Sequence, residues 1–208
     1  MKKLVLLLGV ISSPVFAQDE FEEIKILDNP RYSLTDKFTL DVDLTFLPLD
    51  GYYKPIIAEA ALNYQLNDLL AVEIARIGYS FYNHDTGLKK SIERKIQNET
   101  GNSSYALEDQ ALADMRYHVG TAAYVNLLYS KSNFFNSAIV YHQWQLGSGI
   151  SYYDMDKTSQ MTLDLSMRVR FFLSEKVTLN IRGGHSIGFK SDAPRNLTFL
   201  GMGVGLAF

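Results

Sequence analysis

Residues 160–172 read "QMTLDLSMRVRFF". Met161, Leu163, Leu165, Met167, Val169 and Phe171 fall on one side of an extended chain, and Gln160, Thr162, Asp164, Ser166, Arg168 and Arg170 on the other. Side chains alternate with a period of two only in a strand; a helix would place apolar residues three or four apart. The same beat runs through "FTLDVDLTF" (38–46), with Phe38, Leu40, Val42, Leu44 and Phe46 against Thr39, Asp41, Asp43 and Thr45. It recurs in "VTLNIR" (177–182).

Counting such segments outward from the sixth gives eight strands, at about 38–47, 56–66, 70–82, 118–129, 137–152, 159–173, 177–189 and 197–208. Many exceed the usual five or six residues of a soluble strand and match the roughly 9–11 that cross a bilayer at a tilt. Aromatic residues gather near strand ends, among them Phe46, Tyr79, Phe81, Tyr82, Tyr129 and Tyr152, as an interfacial girdle requires. Connections alternate between tight turns (67–68, 130–133, 174–176) and longer loops (48–55, 83–117, 153–158, 190–196). Short periplasmic turns and long outer loops are the outer-membrane pattern, so the expected fold is all-β: an eight-stranded antiparallel up-and-down transmembrane barrel with a helical extracellular loop.

The beginning of the chain fits export. "MKKLVLLLGVISSPVFAQDE" has a basic start, an apolar run too short to span a bilayer and a small-residue site before Gln18, which reads as a signal peptide over 1–17. Residues 18–37 follow as an acidic periplasmic lead-in, and 38–208 form the barrel. Removing 1–17 takes Lys2 and Lys3 from 20 basic residues and none of the 23 acidic ones, for a net charge of −5. Such a balance offers nothing to nucleic acid. With no cysteine, the protein has neither disulfides nor a lipidation thiol.

Charge decides facing. A basic side chain on the lipid face costs about 2–4 kcal/mol at the bilayer midplane. Asp164, Arg168 and Arg170 are therefore expected to point inward, and with them Asp41, Asp43, Glu59, Glu73 and Arg182. Acids on strands one to three lie across from arginines on strands six and seven. The expected result is a lumenal ion-pair network in which Arg168, Arg170 and Arg182 engage Asp41, Asp43, Glu59 and Glu73. An eight-stranded interior has room only for its own side chains, so the lumen is read as plugged. In "AVEIARIGYSFY" (71–82) strict alternation would put Arg76 in lipid; a β-bulge near Ala75-Arg76 returns it to the lumen. In the fifth strand, Trp144 and Leu146 are expected outward, Gln143 and Gln145 inward.

Outside the barrel, Asp85 is expected to cap a helix carrying Leu88, Ile92 and Ile96 on one face, and Leu107, Ala111, Leu112 and Met115 form a second helical stripe. The last strand, "LTFLGMGVGLAF" (197–208), places Phe199, Gly201, Gly203, Gly205 and Ala207 inward and Leu200, Met202, Val204, Leu206 and Phe208 outward. Its alternation and terminal Phe resemble the assembly signal of outer-membrane barrels, carried here by Leu206 and Phe208, which implies the outer-membrane insertion machinery as a partner.

Catalytic constellations are missing from the sequence. His185 and Ser186 in "GGHSIG" are adjacent on a strand and point to opposite faces. His84, His118 and His142 form no triad, the four histidines lack metal-ligand spacing, and "GMGVG" opens no helix as a phosphate loop would. No cofactor or metal is expected, and no enzymatic activity.

"FLPLDGYYKP" (46–55) followed by "AVEIARIGYSFYNHDTGLKK" (71–90) resembles the small outer-membrane β-barrel domain proteins of gliding and predatory Gram-negative bacteria. The resemblance runs from about Tyr32 to Phe208 and is sharpest at Leu47-Pro48-Leu49-Asp50 with Tyr53-Lys54 and at Asp85 to Lys90. Where that family carries Tyr-Gly-Lys at the fifth strand, this chain has "YSK" (129–131). The resemblance implies an outer-membrane barrel embedded in lipid and, for some similar proteins, envelope complexes linked to motility. The leading expectation is thus a structural or docking component of the envelope, set in a motility or prey-contact complex. A narrow ion or small-solute channel is the alternative, and a lipid-modifying enzyme the third.

Overall fold

A computed structural model describes residues 31–48, 53–101, 115–134, 138–156, 158–190 and 196–208. Eight strands follow one another around a closed antiparallel barrel: β1 (Phe38–Phe46), β2 (Tyr53–Gln65), β3 (Leu70–Asp85), β4 (Met115–Phe134), β5 (Ala138–Met155), β6 (Thr158–Phe172), β7 (Val177–Lys190) and β8 (Leu197–Ala207). The ring is sealed by β1 against β8, from Thr39↔Ala207 to Phe46↔Leu200. Phe38 and Phe208 extend that seam by exchanging both backbone hydrogen bonds, at 3.2 and 3.0 Å. Closure is what makes the wall tolerable in hydrocarbon, because every strand finds a partner for its backbone.

The wall sorts side chains as the alternation requires. Leu40, Val42 and Leu44 of β1, Leu163, Leu165 and Met167 of β6, and Leu200, Met202, Val204 and Leu206 of β8 are exposed outward. Their neighbours in sequence are buried inside, among them Asp41, Asp43, Thr45, Arg168, Arg170 and Gly205. Leu146 is exposed, and Gln143 and Gln145 are buried inside. At Ala75 the beat slips by one: Glu73 is buried, Ile74 and Ala75 are both exposed, and Arg76 is buried again. The pairing registers shift at the same place, between Glu73 and Arg76 against β4 and between Leu62 and Asn63 against β2. Ile74 and Ala75 form a β-bulge, with Ala75 opposite Leu62 and Ile74 unmatched against β2, and it turns Arg76 into the lumen.

Several boundaries differ from expectation. The β5–β6 connection is not a longer loop over 153–158; the strands run to Met155 and resume at Thr158, because Tyr153 and Met155 keep the inward beat and bury themselves. β4 continues to Phe134 instead of turning at 130–133. β2 begins at Tyr53, and the long outer connection narrows to 86–114 because β3 reaches Asp85 and β4 starts at Met115. Met115 therefore belongs to a strand and is buried inside the barrel, not on a helical stripe; the rest of that stripe lies outside the described residues. Among the described residues the outer connection carries one helix, α1 (Gly87–Thr100). Its N-cap is Thr86, whose hydroxyl accepts from the Lys89 backbone N–H, and not Asp85. Asp85 ends β3 and pairs with the buried Lys89 ammonium at 2.8 Å. The chain closes α1 at Gly101, whose φ of 69° is the left-handed conformation glycine adopts at no steric cost. The expected signal peptide and most of the lead-in also lie outside the described residues.

An apolar cluster, or stopper, lies towards each end of the bore. At the end away from the termini, Leu47, Ile57, Met115, Tyr153, Met155, Leu197 and Phe199 form one cluster. At the end carrying the termini, Leu34 packs on Phe172 and Ala207, with Tyr32, Tyr129 and Tyr141 against it. The segment before β1 thus folds up into the barrel base.

Candidate functional site

Between these stoppers lies a layer of charge. It has two hubs. In the first, Asp41 Oδ2 on β1 accepts from Arg168 Nη1 and Arg170 Nη2 on β6, each at 3.1 Å, and from Asn63 Nδ2 on β2 at 2.9 Å. Arg168 is held further by Gln145 Oε1 at 2.6 Å and Asn63 Oδ1 at 3.0 Å, and its guanidinium lies over the Tyr124 ring, 4.1 Å from the centroid. Arg170 donates from Nε to Asn180 Oδ1 at 3.2 Å. In the second hub, Glu59 on β2 receives Arg76 Nη1 at 2.8 Å, Arg182 Nη2, and His118 Nε2 at 3.3 Å. Arg76 also grips Glu73, from Nε at 2.8 Å and from Nη2. Arg182 sits 4.7 Å from the centre of the Phe199 ring, which joins the charged layer to the outer stopper.

Every one of the four arginines is almost fully buried. Charges taken out of water survive only when paired and hydrogen-bonded, and both hubs meet that condition with bidentate or multiple contacts. The hydrogen-bonded bridges span the bore between strands three apart in the ring, from β6 to β1 and from β7 to β2. A lumenal cavity lined by Glu59, Glu73, Arg76, His118, Tyr124 and Arg182 measures about 20 Å³, room for roughly one water.

The residues singled out from sequence divide as follows. Asp41, Arg168, Arg170, Glu59 and Arg182 come together in ion pairs across the lumen. Glu73 is not reached by the arginines of β6 or β7; its partner is Arg76, three residues along its own strand. Asp43 makes no ion pair among the described residues, and its Oδ1 is buried without a hydrogen-bond partner. Asp164 turns inward but meets hydroxyls, those of Ser151 and Thr162, not a guanidinium. Arg76 is the member that sequence reasoning placed in the lumen without giving it a role, and it bridges two carboxylates. Gln145 was likewise expected inward without a role, and His118, Asn63 and Asn180 were missed as members of the layer, although all have inward parity on their strands. His185 and Ser186 lie on opposite sides of β7: Ser186 is fully buried, and exposed His185 bonds Thr198 Oγ1 on the outer wall at 2.8 Å. Leu206 and Phe208 are exposed on the outer wall at the seam.

A sealed antiparallel ring of eight strands, greasy outside and filled with paired charge inside, defines a small outer-membrane β-barrel protein, and its wall belongs in the bacterial outer membrane. The N-terminal β-barrel domain of Pseudomonas aeruginosa OprF superimposes with a TM-score of 0.54 at 7% identity, over 84% of this chain and 98% of that one. Neisserial surface protein A gives a TM-score of 0.44 at 15% identity, over 83% and 96% of the two chains. Ail, the attachment invasion locus protein of Yersinia pestis, gives 0.35 at 11% identity, over 83% and 97%. The OprF comparison carries the fold and nothing further. No protein-family model matches the chain, and no curated protein matches it in sequence.

Proposed function

We propose that this barrel is a closed, non-enzymatic structural or docking component of the envelope, anchored in outer-membrane lipid, and not a pore. The observation that carries the reading is the cross-lumen pairing of Asp41 with Arg168 and Arg170, between apolar stoppers at both ends. An ion would have to displace paired guanidinium groups from a cavity with room for roughly one water. Reconstituted in planar bilayers, the purified barrel gives no steady unitary currents; steady openings would establish the narrow-channel alternative. Lipid A extracted from cells with and without the gene shows the same species on thin-layer plates, and a changed species would establish a lipid-modifying enzyme.

The finer reading is a place in a motility or prey-contact complex, supported by the resemblance of residues 46–55 and 71–90 to barrels of gliding and predatory bacteria. Crosslinking in intact outer membranes followed by pull-down tests it, and recovery of defined envelope proteins is the expected result. Leu206 and Phe208 serve as the assembly signal read by the insertion machinery; their exposure at the end of the sealing strand supports this. Phe208→Ala lowers the amount of folded barrel in the membrane if so, and unchanged amounts would remove that role.

A further inference from the structure

β4 outruns the strand beside it. Towards the end that carries the termini, β3 pairs with β4 only as far as Leu70↔Val125, and a last hydrogen bond joins Asn126 N–H to Leu69 C=O at 2.7 Å. On its other side β4 stays paired with β5 all the way to Phe134↔Ala138. The β4–β5 hairpin therefore stands beyond β3 as a tongue. From Leu127 to Ser132, β4 has a strand on one side only, among the described residues.

The inner side of this tongue is fixed. Tyr129 and Tyr141 pack with Phe172 and Tyr32, the Tyr129 hydroxyl accepts from the Tyr32 N–H at 3.3 Å, and Tyr32 meets Tyr141 edge-on at 5.5 Å. Its outer side is apolar: Leu127 is 59% exposed, Leu128 45% and Ile139 62%. These two facts conflict in either solvent. In hydrocarbon the open N–H and C=O groups of the edge would be left unpaired, at several kcal/mol each. In water, Leu127, Leu128 and Ile139 would stand uncovered beside an open strand edge. A strand laid along the edge pairs those backbone groups, and Leu127, Leu128 and Ile139 can then face hydrocarbon like the rest of the outer wall.

Resting on the docking reading above, we propose that residues 127–132 of β4 receive an added β-strand from a second protein, an extended segment carrying an acidic side chain opposite Lys131. Lys131 is the charged group of this stretch and is exposed. It decides between occupants. Two copies of this chain joined edge to edge over 127–132 would add a second lysine to the seam and no acid to answer either, whereas an acidic strand is attracted. Backbone pairing along the edge would supply affinity and Lys131 the selection.

Amide hydrogen exchange over 127–132 tests this in isolated outer membranes and in purified protein in micelles. The expected result is exchange slowed about tenfold or more in membranes and fast after purification. In membranes Lys131→Glu restores fast exchange, while the heat stability of the barrel stays the same. Fast exchange in both preparations overturns the proposal. So does slow exchange in both, which would mean that a second copy or residues 18–30 of the same chain close the edge. Photocrosslinkers at Lys131 and at Leu88 on α1 separate this from the wider reading. Protein captured only at Leu88 leaves docking in place and overturns the β4 edge, and capture at neither overturns docking itself.

Discussion

Asp43 and Glu59 stand directly opposite each other where β1 pairs with β2, both turned into the bore, yet the cations gather on Glu59 alone. Glu59 holds Arg76, Arg182 and His118, while Asp43 has no ion-pair partner among the described residues. The two arginines that reach this level, Arg76 of β3 and Arg182 of β7, both close on Glu59. Glu59→Gln takes from Arg182 its one carboxylate partner among the described residues and from Arg76 one of two, leaving a buried guanidinium uncompensated, at a cost of about 3–5 kcal/mol. Asp43→Asn removes a buried charge that nothing pairs, and it leaves stability equal or raises it. Urea unfolding of the purified barrel in micelles measures both; an Asp43→Asn barrel as weak as Glu59→Gln contradicts the assignment.

Arg168→Ala destabilises by a similar amount, about 3–5 kcal/mol, because it leaves Asp41 to Arg170 alone and uncovers the Tyr124 ring. Combining it with Asp41→Leu costs less than the two single changes added together, since the pair is then removed as a unit. The temperature at which the folded band disappears on a gel ranks the three variants, and strict additivity would show that the pair is not coupled.

The bulge at Ala75 makes an asymmetric prediction. Deleting Ala75 leaves Glu73 and Arg76 inward and restores a regular ladder to both β2 and β4. That variant folds. Duplicating Ala75 turns Arg76 outward, at about 2–4 kcal/mol, and drives Ile77, Tyr79 and Phe81 into a bore with no space for them. Heat-modified mobility on gels distinguishes folded from unfolded barrel in each case, and a folded duplication variant would refute this account of the bulge.

Two glycines should respond differently to a methyl group. At Gly203 an added Cβ would run into the Asp43 carboxylate and the Val42 carbonyl of β1, so Gly203→Ala must open the seam and costs about 1–3 kcal/mol. At Gly183 the nearest atom would be Leu200 Cδ1 at 3.6 Å, ordinary contact, and Gly183→Ala stays within about 0.5 kcal/mol of the parent. Equal urea midpoints for the two variants would argue against the close approach of β8 to β1.

Parity along the strands made the barrel, its strand count and the inward turn of Asp41, Glu59, Arg168 and Arg182 readable before any coordinates. Parity also located the bulge, since only an extra residue reconciles Ile74 outward with Arg76 inward. What parity lacks is height. Which acid meets which arginine depends on stagger between strands far apart in the chain, so Glu73 went to Arg76, and Asp43 and Asp164 found no guanidinium. Strand ends were hidden for another reason. Tyr153, Met155 and Met115 look like loop or helix residues locally, and only their shared cluster inside the outer stopper keeps them in strands. The base stopper was similarly out of reach, because burial of Leu34 and Tyr32 depends on Phe172, Tyr129 and Tyr141, all distant in sequence.

The seam between β1 and β8 sets the timing of folding. Thr39 and Ala207, neighbours across the seam, are 168 residues apart in sequence. Adjacent hairpins can form locally, but the contact that seals the cylinder has the greatest sequence separation and bears the largest loop-closure entropy. Until β8 is in place the sheet would present two raw borders to its surroundings, so docking of β8 on β1 commits the molecule to its closed architecture.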